Sequence, residues 1–407
     1  MWWSRSLSVI NKTKSSDIVN IFNAIQKINK GQSVDNAVQS FEEIKRSFIF
    51  LTVQEYYRRH LNTLEIIKKL SHKKSHPDGI MIIQIAMVMI FFSKKPEHAV
   101  VNDAVEFSKS FKISGFVNAL LRKILIEKDN LLKDIQSIKI DNDFKKQLIK
   151  IYSSKKIHEY IFETLNEKPI NYQVSYTNNE SSLYDLRVST LKDFHDLKKN
   201  SWVQDIGNYE CIRSIREIVK NKKILDCCAA PGGKSFLLSS FGCEVTSLDN
   251  NKEQIKKFYE NTNRLGLDLG IQEENFLDFQ TKEKFECILL DAPCSSLGTF
   301  RRNPDVSFKI KQMALKEKQL LQLKMLNQAL SIISNNGVII YMVCSFHPVE
   351  TIEVIDKFLK KNTDFNTINL KSDKLLKKNN GYFINPYSFK DFGGSDSFFI
   401  SALQRNS

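Results

Sequence analysis

Between about residues 16 and 126 the apolar positions return every three or four residues, the spacing of one face of an α-helix. Ile18, Ile21, Phe22 and Ile25 form one such set, and Phe50, Tyr56, Tyr57, Leu61 and Leu64 another. The stretch 80–92 is apolar almost all round, broken only by Gln84, which predicts a central helix enclosed by the others. At about 1.5 Å per residue it is too short to cross a bilayer. Segments 99–107 and 116–126 complete an all-helical region. A lysine-rich helical stretch at 141–165 follows, and then a polar, weakly periodic one at 169–197, predicted as a connector or a small α/β element.

From residue 222 the period changes. Short β-rich runs at 223–227, 244–248, 269–272 (the weakest), 285–290 and 338–344 alternate with helical patterns at 235–240, 252–265 and 311–333. A short strand at 365–370 follows the segment 349–361, and a last one at 398–403 is expected to insert antiparallel. Such alternation marks a doubly wound α/β sheet. The expected division is a helical domain at 1–135, a helical linker with a reduced small α/β element at 136–201, and a catalytic α/β domain at 202–407.

Composition adds a partner class. Lys and Arg total 60 against 46 Asp and Glu, a formal charge of +14, which favours a polyanion such as RNA or DNA through salt-dependent contacts. Lysines between 145 and 156 could line an RNA surface; a solvated helix face is the ordinary alternative. Seven cysteines in 407 residues, with no pair of CxxC units, suggest reduced thiols in a cytoplasmic protein rather than a disulfide scaffold or a metal site. The opening Met1-Trp2-Trp3-Ser4-Arg5 has no apolar core before a cleavage site, so secretion is not expected. No membrane association and a monomeric state complete this picture.

The candidate chemistry gathers where three apolar runs end. In an open α/β sheet their carboxyl ends share one rim, where ligands bind. The first run closes on Asp226-Cys227-Cys228-Ala229-Ala230-Pro231-Gly232-Gly233-Lys234, the second on Asp291-Ala292-Pro293-Cys294-Ser295-Ser296, the third on Val343-Cys344-Ser345. The glycine turn is neither GxGxxG nor a P-loop. Its backbone amides, at a helix start, suit an anion such as the methionyl carboxylate of S-adenosylmethionine. Asp249 ends the run at 244–248, where an acid accepts from ribose hydroxyls. Asp278 could read the adenine edge, although loop aspartates are common.

These motifs, together with Arg301-Arg302-Asn303-Pro304-Asp305, resemble the ordered motifs of the NOL1/NOP2/Sun RNA cytosine-5 methyltransferases over about residues 202–405. Val100 to Val105 and Gly115 to Ile124 resemble the NusB-like RNA-binding domain that precedes the catalytic domain in the bacterial RsmB (Sun/Fmu) branch. The resemblance implies an N-terminal all-α NusB-like domain followed by a Rossmann-like class I S-adenosylmethionine-dependent methyltransferase domain. The implied activity is methyl transfer to C5 of a cytosine in small-subunit (16S) rRNA. By that resemblance Cys344 is the nucleophile that adds to cytosine C6, Cys294 helps resolve the adduct, and Asp291 contacts cytosine N3. Cys228, Ala229, Ala230, Pro231, Gly232, Gly233, Lys234, Asp249, Asp278 and Asp291 would bind the cofactor. Lys234, Arg301 and Arg302 would touch the substrate; a solvated lysine or a structural ion pair is the alternative at each. Spacing alone leaves open a DNA-type arrangement with Cys294 as nucleophile. Methylation of tRNA or another RNA, and a non-catalytic RNA-binding assembly factor, are the rival functions.

Overall fold

A computed structural model describes residues 16–71, 76–167, 169–176, 186–193, 196–308 and 314–406; the opening Met1–Arg5 segment and the start of the helix predicted at 311 lie outside them. Contacts divide the chain into two compact units, Met1–Asn142 with Asn303–Phe308, and Asp143–Arg302 with Lys309–Ser407.

The first unit is helical: α1 (Asp17–Asn29), α2 (Val34–Gln39), α3 (Glu43–Leu70), α4 (Pro77–Phe92), α5 (Glu97–Lys109), α6 (Ser114–Ile126) and α7 (Lys128–Gln136). As its pattern predicts, α4 is the centre, with Ile82 through Ile90 all buried. The polar exception, Gln84, is satisfied there. Its amide donates to the His60 carbonyl at 3.0 Å and to Thr63 Oγ1 at 2.8 Å, and its oxygen accepts from Tyr56 OH at 3.4 Å. A buried polar side chain with its bonds made costs little and fixes the register of its neighbours. Burial pushes the adjoining His60 imidazole down to about 4. Arg59, also on α3, donates from one nitrogen to the Ile135 and Gln136 carbonyls at 2.9 and 2.8 Å. It thereby satisfies acceptors that α7 leaves open at its end.

The second unit begins with α8 (Asn142–Ile151) and α9 (Lys155–Glu163). One face of the lysine-rich stretch is core: Phe144 meets Phe300 and Phe346 edge-on, each with ring centroids 5.3 Å away. Lys145, Lys146, Lys150, Lys155 and Lys156 are exposed. A small antiparallel sheet follows, β1 (Asn171–Tyr176), β2 (Leu186–Leu191) and β3 (Ser201–Val203), in the order β2-β1-β3. Trp202 seals it, wedged between Tyr176 and Phe236.

The remaining elements are α10 (Ile206–Ser214), α11 (Arg216–Val219), β4 (Lys223–Asp226), α12 (Gly233–Ser240), β5 (Glu244–Asp249), α13 (Lys252–Leu265), β6 (Gln272–Glu273), β7 (Phe285–Asp291), α14 (Asp305–Phe308), α15 (Leu315–Ile332), β8 (Ile333–Val343), α16 (Ile352–Lys361), β9 (Phe365–Ile368), β10 (Leu376–Lys378), β11 (Gly381–Ile384) and β12 (Phe398–Arg405); α14 belongs to the helical unit. The large sheet runs β10-β11-β12-β8-β7-β4-β5-β6, with β9 on β12. β4 to β8 are parallel, and β12 inserts antiparallel beside β8, Phe399 opposite Val343. This is the expected α/β architecture. Its chain order reverses at β4, which lies between β5 and β7, so the ligand crevice opens outside the ends of these strands. Among the described residues no helix is long and apolar enough to cross a membrane.

Candidate active site

Three carboxylates stand at the rim. Asp226 ends β4 fully buried; one oxygen accepts from Ser235 Oγ at 2.7 Å, while the other is buried with no partner. Burial pushes this acid up to about 6 against the pull of the Ser235 bond. Asp249 ends β5 and accepts from the Ala230 amide at 3.1 Å and the Asn251 amide at 2.8 Å, which ties the turn after β4 to the neighbouring strand. Asp291 ends β7, its Oδ2 2.6 Å from Lys234 Nζ. Burial opposes the charge on Lys234, but Asp291 outweighs it and holds the ammonium above its ordinary value, with charge on Cys344 acting in the same sense.

The turn itself depends on Gly232. It is the N-cap of α12, at φ +111°, and a Cβ there would lie 2.1 Å from the Phe236 ring. Asp278, on the loop after β6, is exposed and accepts from Asn275 Nδ2 at 2.8 Å. Together these groups fit S-adenosylmethionine. A buried carboxylate oxygen without a partner can accept from an ammonium, Asp249 suits a ribose diol, and the α12 start suits a carboxylate.

The two thiols meet at this rim. Cys294 Sγ lies 3.3 Å from Cys344 Sγ, and both residues are half-buried rather than sealed in packing. Backbone bonds hold their loops together. The Ala292 amide donates to the Met342 carbonyl, and Gly298 to that of Cys344, each at 2.9 Å. Ser296, at φ +58°, brings its hydroxyl within 3.5 Å of Cys344 Sγ. The hydrogen bond that Cys294 shares with Cys344, then burial and nearby negative charge, keep the Cys294 thiol well above its usual range. The other five cysteines lie apart from this pair chemically. Burial raises Cys211, Cys227 and Cys228, and pushes Cys243 to about 11 and Cys287 to about 12, so none is disposed to form a thiolate.

Arg301 and Arg302 sit differently from the thiols. Arg301 is 2% exposed, and two of its nitrogens donate to the Gly393 carbonyl at 3.2 Å. Arg302 donates to Asn171 Oδ1 at 2.7 Å and to Asp396 Oδ2 at 3.3 Å, with Asp205 at 3.5 Å. Both guanidiniums therefore clamp the Gly393–Asp396 loop from within the chain, Arg301 through a backbone carbonyl and Arg302 through the Asp396 carboxylate. The next residue, Ser397, donates its amide to the Gly298 carbonyl at 2.9 Å, so the clamp bears on the Cys294 loop.

Burial, then the charge of Asp205, push Asp396 up to about 7 against the pull of Arg302. An unfolded aspartate titrates near 3.9, so across that interval the folded chain binds the extra proton and stability falls as pH rises. Asp396→Asn is expected to flatten the decline in melting temperature between about pH 4 and pH 7; an unchanged decline would mean that this carboxyl holds no proton there.

Sequence reasoning did not single out Asp226 as a site residue beyond its place in the motif, nor Ser296 or Glu350. A fully buried acid at the end of an apolar strand was the available signal for Asp226. Glu350 and Ser296 carry no periodic signal, since they matter through neighbours distant in sequence.

Residues 215–404 match the family described as 16S rRNA methyltransferase RsmB/F, and residues 15–125 match the NusB family. The chain is 25% identical over 380 residues to the ribosomal RNA small subunit methyltransferase B of Klebsiella pneumoniae subsp. pneumoniae, covering 83% of this chain and 88% of that one. It is 26% identical over 382 residues to the protein of the same name from Citrobacter koseri, covering 83% and 89%. Among solved structures, the crystal structure of PH0851 superposes with a TM-score of 0.68 at 17% identity, over 97% of this chain and all of that one, a likeness of fold.

Proposed function

We propose that this chain, whose residues 215–404 match the RsmB/F family and whose residues 15–125 match the NusB family, is an S-adenosylmethionine-dependent rRNA methyltransferase that methylates C5 of a cytosine in small-subunit (16S) rRNA through a covalent cysteine adduct. The observation that carries this reading is the 3.3 Å approach of Cys294 and Cys344 beside the Lys234–Asp291 pair. Two half-buried thiols in contact at a ligand-binding rim have no structural need of each other. A pyrimidine does need them, because its C5 is a poor nucleophile until sulfur has added at C6.

Cys344 Sγ forms a bond to C6, and the C5–C6 π electrons move toward C5 and the ring. Lys234, paired with Asp291, keeps a positive charge at this rim, and in this reading Asp291 contacts cytosine N3. The bound cofactor supplies an electrophilic methyl group on a sulfonium. After transfer, the C5 proton must leave and the C6–S bond must break, returning its electrons to Cys344. Cys294 is suited to that second half. Its thiol is held protonated first of all by its bond to Cys344. Once Cys344 is a thioether it no longer carries the charge that opposes ionisation of Cys294.

Arg301 and Arg302 act as positioning residues for the Cys294 loop, and the helical unit holds RNA. A cytosine within paired RNA has to leave its stack to reach the thiols. We place the protein in the cytoplasm as a monomer.

The test is incubation of the protein with labelled S-adenosylmethionine and unmodified 16S rRNA, with tRNA in parallel, followed by mapping of the product. Label in 5-methylcytosine of 16S rRNA is expected. Label in tRNA alone, or at another atom of the base, would overturn the assignment, and binding without transfer would favour the assembly-factor reading.

A further inference from the structure

Glu350 is an ionisable side chain with no exposure to solvent, and among the described residues no Lys, Arg or His lies within ion-pair distance of it. A buried carboxylate without a counter-charge is costly unless its oxygens are fully hydrogen-bonded. Here they are, by donors from two loops. The Ser295 amide donates at 2.7 Å, the Ser295 hydroxyl donates to the other oxygen, and the Ser345 hydroxyl donates to that oxygen at 2.8 Å. Ser295 follows Cys294, and Ser345 follows Cys344.

The carboxylate is itself on a rigid mount. Pro348–Glu350 is a single 3₁₀ turn, capped by His347 Nδ1, which accepts from the Val349 amide at 3.3 Å. The Glu350 carbonyl accepts from the fully buried Tyr341 OH at 2.6 Å, and Gln319 on α15 donates to the Val349 carbonyl at 2.6 Å. Anchored to β8 on one side and α15 on the other, the side chain reaches both serines at once.

We infer that Glu350 is a positioning residue for the methyl transfer proposed above, fixing the Cys294 and Cys344 loops against each other through the serine that follows each thiol. It touches neither sulfur. A displacement of about 1 Å between a nucleophile and its partner group can cost about 100-fold in rate, so the register of these loops is a catalytic quantity. The negative charge of Glu350 also helps to keep the Cys294 thiol protonated, behind the Cys344 bond and burial. It therefore supports the order of events in which Cys344 reacts first.

The experiment compares wild type, Glu350→Ala, Glu350→Gln and Ser345→Ala in two assays. The first is a reagent that fluoresces only when it bridges two thiols, applied without RNA. The second is steady-state methylation of 16S rRNA. Glu350→Ala is expected to slow bridging about tenfold and to lower kcat about 100-fold with KM for RNA little changed, as for a misplaced reacting group. Glu350→Gln keeps an acceptor oxygen and loses the charge; it should regain most of the bridging and shift alkylation of Cys294 to lower pH. Ser345→Ala removes one arm and should slow bridging even if Glu350→Ala does not fold. Unchanged bridging in Ser345→Ala, or unchanged bridging and kcat in a folded Glu350→Ala, overturns the inference. If bridging falls in the variants while wild type methylates no RNA, the functional reading fails and the positioning role stands.

Discussion

Cys344→Ala is expected to abolish methyl transfer, by about 10⁴-fold or more on the scale seen when a covalent nucleophile is removed, and to leave no protein–RNA species on a denaturing gel. Cys294→Ala is expected to give the opposite phenotype on that gel. Methyl transfer proceeds once, the C5 proton is not removed efficiently, and the enzyme accumulates bonded to methylated RNA. The asymmetry follows from the surroundings of the two sulfurs rather than from their separation, which is shared. Charge on Cys344 helps keep Lys234 protonated. Cys294 has burial and negative charge pressing its thiol to stay protonated while Cys344 is free. Exchanged phenotypes would move the nucleophile to the proline-cysteine loop. Turnover surviving in both variants would remove covalent catalysis altogether.

Gly298→Ala should rank next. An added Cβ would sit 1.9 Å from the Ser397 carbonyl oxygen and 2.9 Å from that of Cys344, both backbone atoms that cannot swing aside. Relief requires the Cys294 loop to leave the β8 end or the Ser397 segment to retreat. Overpacking of this kind costs roughly 3 kcal/mol at its upper end, or about 6–12 °C in melting temperature for a unit of this size. Activity should fall further than stability, because the same shift separates the sulfurs. Gly115→Ala is the control, since a Cβ there meets nothing. A Gly298→Ala protein that melts and methylates like wild type would refute the tight contact between these three segments.

The sequence made the sheet legible where burial is two-sided. The run 338–344 is apolar without interruption and 285–290 is broken only by Glu286, because helices cover both faces, and such runs are hard to mistake. The weak run at 269–272 proved to be β6, only Gln272–Glu273 and exposed. The hairpin of β10 and β11 was not predicted: Leu376–Lys378 is largely exposed and two of its three residues are lysine, so no alternation marks it. β1 and β2 lie in the stretch 169–197, which reads as polar and weakly periodic, a connector or a small α/β element, and β3 follows it. Their inward residues, Val174 and Trp202 among them, are too few to set a period, and α10 and α11 are likewise short.

The thiols and the glycine turn were legible because each sits just beyond a buried strand, where position in the chain nearly determines position in space. The partners of Arg301 and Arg302 were not. Gly393 and Asn171 lie 92 and 131 residues away, and a guanidinium that holds a loop has the same local sequence as one that holds a phosphate. Glu350 is the same case with opposite charge.

The placement of Asn303–Phe308 has a practical consequence for dissecting this protein. Although they follow the catalytic loop in the chain, these residues belong to the helical unit, where Phe308 packs its ring 4.2 Å from His60 and 6.0 Å from Tyr57. A gene cut after residue 142 would therefore yield a helical fragment with an aromatic face uncovered, prone to stick to itself. Supplying the hexapeptide segment through a designed tether, or co-expressing the two halves, is the rational way to obtain either one in soluble form.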